Sequence, residues 1–192
     1  RKRNDVEFME RVPQRVPVLS ALEDDKLRRV VLLGDPGSGK TTCVHYMTFA
    51  LCMVHQKLTG TKNLFPKGSK LIRYFPIRLV LREVAALYIP ANAQTGSVDI
   101  IWNAVRGDLA RRIGEEQAKR LFPHLQKRIQ TKPCIVMLDG LDEVPESEER
   151  RAHLLESIEH FSASLPKESI VLVTARPYAY DDPKWHLPHF ET

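Results

Sequence analysis

Between an apolar run and an amphipathic one lies Gly34-Asp35-Pro36-Gly37-Ser38-Gly39-Lys40-Thr41-Thr42, and that order constrains the fold more than any other feature. Val30-Val31-Leu32-Leu33 ahead of it reads as a buried strand. After it, Val44, Met47, Leu51, Val54 and Leu58 recur every three or four positions and predict a helix with one buried stripe. A strand that enters a helix through a glycine-rich loop turns the loop's N–H groups toward one point, helped by the positive end of the helix. Gly34 and Gly39 allow backbone angles and close approaches that a Cβ would block. Lys40 is placed to reach outer phosphates, and the Thr41 hydroxyl to ligate Mg²⁺. Residues 34–42 therefore form a candidate cradle for a nucleoside triphosphate.

Three further strands are expected, at 72–81, 134–138 and 170–173, with Pro76 marking the first of these as an edge strand or a bulged one. Amphipathic helices are predicted from Val98 to Ile113, after the separating Gly114 along Ala118, Leu121, Phe122, Leu125 and Ile129 with a kink or break at Pro123, and along Leu154, Leu155, Ile158, Phe161 and Leu165, capped by Ser147. Gly60 is expected to end the helix after the loop. Strands alternating with helices imply a parallel sheet covered on both faces, with ligands beyond the carboxyl ends of its strands.

At those ends lie two more groups. Ile135-Val136-Met137-Leu138-Asp139-Gly140-Leu141-Asp142-Glu143 puts one carboxylate at a strand's end and two a turn later. Asp139 is positioned to hold Mg²⁺, largely through water. Asp142 and Glu143 lie where an attacking water could be oriented, and three crowded carboxylates themselves favour a cation. Val173-Thr174-Ala175-Arg176-Pro177 adds a Thr and an Arg that can address the γ-phosphate from the side opposite Lys40. Arg82, after the 72–81 strand, is a weaker candidate.

These three motifs, in this order, resemble the NACHT family of P-loop NTPases, signal-transduction ATPases that include immune receptors and antiphage sensors. Phe75 to Glu83 is similar to that family's second strand. The resemblance implies an α/β, three-layer P-loop NTPase fold of AAA type, with a central, mostly parallel five-stranded sheet flanked by helices. It implies ATP or ADP with Mg²⁺ as ligands, Gly34 to Thr42 around the phosphates, and Thr41 and Asp139 on the metal. Glu143 or Asp142 would serve hydrolysis, and Arg176 would sense the γ-phosphate. On this reading residues 1–27 are an entry segment and 28–192 a nucleotide-binding domain that stops before the helical and winged-helix domains of such proteins. It would work as a slowly hydrolysing switch that oligomerises on activation, beside flanking sensor and effector domains.

Composition narrows the alternatives. The 192 residues, 43% hydrophobic and 28% charged, suit one globular domain. There is no apolar run long enough for a membrane span and no secretory signal. Cys43, Cys52 and Cys134 have no metal-ligand spacing and read as reduced core thiols, so a cytoplasmic setting is expected. The chain begins with Arg1 rather than Met, which suggests a segment of a longer protein. A net charge of +5 leaves open an AAA-type motor or loader acting on DNA or protein. Basic residues are interleaved with acids, however, which favours a solvated surface over nucleic acid. Intact Asp139, Asp142 and Glu143 argue against a scaffold that has lost hydrolysis.

Overall fold

Four short β-branched or aliphatic runs make the sheet: β1 (Arg29–Leu33), β2 (Phe75–Val80), β3 (Cys134–Asp139) and β4 (Ile170–Ala175). The computed structural model describes residues 17–145 and 148–192. All pairings are parallel, in the order β1-β4-β3-β2. Leu33 lies beside Ala175, and Asp139 beside Val80, so the carboxyl ends of all four strands reach one edge. The helices are α1 (Val18–Ala21), α2 (Lys40–His55), α3 (Leu81–Leu87), α4 (Val98–Ile113), α5 (Glu115–Thr131), α6 (Glu148–Ser164) and α7 (Pro177–Tyr180).

Strand periodicity divides the core in two. Ile135, Met137, Ile170 and Leu172 face α2, whose Val44, Met47, Ala50 and Leu51 are fully buried against them. Val136, Leu138, Val171 and Val173 face the opposite way, into a larger core with Ile101 and Trp102 of α4 and Ile158 and Phe161 of α6. Trp102 meets Phe161 edge-on with ring centroids 5.0 Å apart. Each fully buried Leu, Met or Phe here contributes about 1.5–3 kcal/mol. This double coverage explains why β3 and β4 are apolar throughout rather than alternating.

Several expectations need correction. The sheet has four strands among the described residues, not five. Outside β1 stands only a single parallel bridge, Val30 to Glu191, with Val31 N–H donating to Glu191 O at 2.7 Å and Glu191 N–H to Arg29 O at 2.9 Å. Pro188 has no N–H to pair, and His189 has a left-handed φ of 64°, so the approach to Glu191 cannot run as a strand. The helix after the loop ends at His55, not Gly60. Lys57 turns left-handed (φ 53°), which leaves Leu58 outside the buried stripe and 44% exposed.

The 72–81 strand is shorter than expected because Lys70–Arg73 is a 3₁₀ turn and Leu81 already opens α3. That helix, with Leu81, Val84 and Ala85 buried, is too short to show a period in sequence. β2 is an edge strand, where Pro76 is tolerated. Pro123 does not break α5, which is continuous, with fully buried Ala118 and Ile129 anchoring it on either side. Cys52 is exposed rather than in the core, while Cys43 is half-buried and Cys134 buried. The expected cap Ser147 lies outside the described residues. Among those residues no helix is long and apolar enough to cross a membrane.

Candidate functional site

β1 delivers the chain to Gly34, whose N–H donates to Ala175 O of β4 at 3.2 Å. This pins the base of the loop to the sheet. A Cβ at Gly34 would stand 2.5 Å from Ser38 Oγ, so the Ser38 side chain would have to move to admit one. The turn closes with Ser38 N–H donating to Asp35 O at 3.1 Å, and the helix begins with Cys43 N–H donating to Gly39 O at 2.8 Å. Gly37 and Gly39 take the left-handed angles that this reversal needs, φ 78° and 88°. The Lys40 ammonium curls under the loop and donates to Gly34 O, to Asp35 O at 3.1 Å and to Ser38 Oγ at 3.4 Å. Cys43, one turn into α2, is an inert neighbour whose thiol is pushed up by burial.

Asp139, at the end of β3, is buried, and its Oδ1 accepts from Thr174 Oγ1 at 2.8 Å and Thr41 Oγ1 at 3.3 Å. Thr41 and Asp139 are 98 positions apart in sequence, so this contact is made by the fold alone. Gly140 follows with φ 82°, and its N–H donates to Thr174 Oγ1 at 2.8 Å. The Thr174 hydroxyl, 1% exposed, is therefore committed to shaping the Asp139 turn rather than directed toward a phosphate.

Each of the three carboxylates has its own arginine. Arg78 of β2 lies 3.5 Å from Asp139 Oδ2, Arg176 lies 2.8 Å from Asp142 Oδ2, and Arg82 lies 3.6 Å from Glu143 Oε2. The crowding inferred from sequence is thus offset by arginines and does not by itself demand a cation. Sequence reasoning missed Arg78, because nothing local in β2 marks it. Only the β2–β3 pairing, which sets Val80 beside Asp139, brings it within reach.

These groups frame one open cleft of about 290 Å³. Its walls are residues 36–42 on one side and Gly140, Asp142, Glu143, Thr174 and Arg176 on the other. Gly34, Asp35 and Asp139 do not line it, but each is hydrogen-bonded to a residue of the loop or of its supporting strand. The structure thus brings residues 36–42, Asp142, Glu143 and Arg176 to one space, with Asp139 joined to it through Thr41. Among the described residues no three His, Cys, Asp or Glu side chains gather as metal ligands. One hydroxyl and one carboxylate is a different donor set, hard oxygens that suit a Mg²⁺ ion otherwise held by water and phosphate. Several exposed basic side chains are spent on nearby acids, as in Arg106–Glu115, Arg111–Glu83 and Arg112–Asp108.

Compared with known families, residues 14–176 match the one described as Nephrocystin 3, N-terminal. The match spans more than half the chain and includes the loop, Asp139 and Arg176. No curated protein and no solved structure matches the chain.

Proposed function

The chain belongs to the nephrocystin 3 N-terminal family, and from that premise we propose that it binds a nucleoside triphosphate with Mg²⁺ in the cleft beside residues 34–42. The observation that carries this reading is the meeting of Thr41 and Asp139 at 3.3 Å, directly under a glycine-rich turn at a helix N-terminus. In this reading the turn's N–H groups and the start of α2 hold the phosphates. Lys40 exchanges its loop carbonyls for the outer phosphates. Thr41 and Asp139 hold Mg²⁺, which when bound offsets phosphate charge. Glu143, at the cleft wall, orients water for slow hydrolysis, and Arg176 reads the γ-phosphate.

The wider proposal follows the NACHT resemblance. ATP and ADP would be the working pair, and phosphate contacts would bias a two-state arrangement of neighbouring sensor and effector domains in a cytoplasmic signalling NTPase that oligomerises on activation. Residues 28–192 would be its nucleotide-binding domain.

Equilibrium titration with ATP, ADP and GTP, with and without Mg²⁺, tests the site. Binding should need Mg²⁺, and Thr41→Ala should remove most of that dependence while leaving the fold intact. Metal-independent binding of equal strength in wild type and Thr41→Ala would refute the assignment.

A further inference from the structure

Asp142 and Glu143 are adjacent in sequence, and a sequence reading treats them as interchangeable. Their surroundings are not alike. They sit in a single 3₁₀ turn, Leu141–Glu143, where successive side chains diverge by about 120°. The Asp142 side chain is only 5% exposed and lies 2.8 Å from Arg176 Nε. The Glu143 side chain is 44% exposed, and its Arg82 partner, 3.6 Å away, is 63% exposed. An ion pair as open and long as Glu143–Arg82 constrains little, so Glu143 keeps its freedom to hold water. A shielded carboxylate in close contact with a guanidinium has no such freedom.

We propose that Asp142 is the positioning residue for Arg176, holding its guanidinium at the wall of the cleft opposite Lys40, and that Glu143 alone is the carboxylate available to water. The proposal rests on the nucleotide-binding reading and deepens it. Arg176 follows Ala175 at the end of β4 and is 36% exposed, so its backbone alone does not fix where the guanidinium goes. Asp142 supplies that restraint, anchored by Leu141, which is fully buried beside it. A γ-phosphate then meets an arginine already in place, whereas a diphosphate does not reach it. Asp142 therefore sets, through Arg176, how well the site tells triphosphate from diphosphate.

The test measures affinities for Mg-ADP and for the non-hydrolysable β,γ-imido analogue of Mg-ATP. Arg176→Gln and Asp142→Asn should each lower the triphosphate-over-diphosphate preference about tenfold. The double variant should lower it no further than either single one, and Asp142→Glu, which keeps the charge, should recover part of it. Glu143→Gln should leave the preference within about twofold of wild type while slowing hydrolysis. A wild-type preference in Asp142→Asn, or an equal loss in Glu143→Gln, would overturn the assignment. A second arm needs no ligand: the unfolding midpoints of Asp142→Asn, Arg176→Gln and their double variant should be non-additive. Additive midpoints would show that the two side chains are not coupled and would also overturn it. If wild type binds no nucleotide, the underlying reading fails and the discrimination role fails with it, whereas non-additive midpoints would show that the pair itself stands.

Discussion

The two walls of the cleft are built on different principles. Residues 34–42 form a wall of backbone: glycines, one turn, and an ammonium that returns to its own loop carbonyls. The opposite wall, Asp139 to Glu143, is made of side chains that reach to β2, α2, α3 and the end of β4. The first depends on local geometry and stands open to solvent. The second depends on four other segments being in place. The contrast separates two kinds of consequence: substitutions in the loop should change what binds, and substitutions around Asp139 should change whether the domain holds together.

The largest effect on stability is expected at Asp139. Replacing it with Ala strands Arg78 and leaves two hydroxyls short of an acceptor, at a cost of about 3 kcal/mol in denaturant unfolding. Next is Thr174→Val, which removes the hydroxyl that joins Asp139 to the Gly140 N–H and should cost about 1–2 kcal/mol. Gly39→Ala forces a left-handed Cβ and should cost about 1 kcal/mol. Arg82→Ala, at an exposed and long ion pair, should stay within about 0.5 kcal/mol of wild type. If Gly39→Ala proved more damaging than Asp139→Ala by the same measurement, the contrast between the walls would be reversed.

That contrast also explains what could be read from the chain. The loop's turn was legible because it is set by residue types at fixed local spacing, with Gly37 and Gly39 at left-handed angles between Gly34 and the Lys40-Thr41 start of α2. The parallel α/β layout was legible because β3 and β4 are uninterrupted apolar runs. Arg78 was not, since its role exists only after β2 pairs with β3. The arginines that offset the crowded carboxylates were hidden for the same reason, since they come from distant segments. Short elements escaped too, because α3 has only seven residues in which to show a period. The fifth strand was carried by resemblance rather than by any apolar run, and the residues before Glu191 lack the backbone to form it.

The central claim is that the backbone wall holds a polyphosphate. Thermal melting of wild type and Lys40→Ala, each with and without Mg-ATP, Mg-ADP and Mg-GTP, tests it most directly. Without ligand the two should melt alike, because Lys40 serves the loop and not the core. A nucleotide at a hundred times its Kd should add about 2.7 kcal/mol to wild type. For a domain of this size that is a rise of roughly 5 to 10 °C, absent in Lys40→Ala. An equal rise in both proteins, or none in wild type with any nucleotide, would contradict the account.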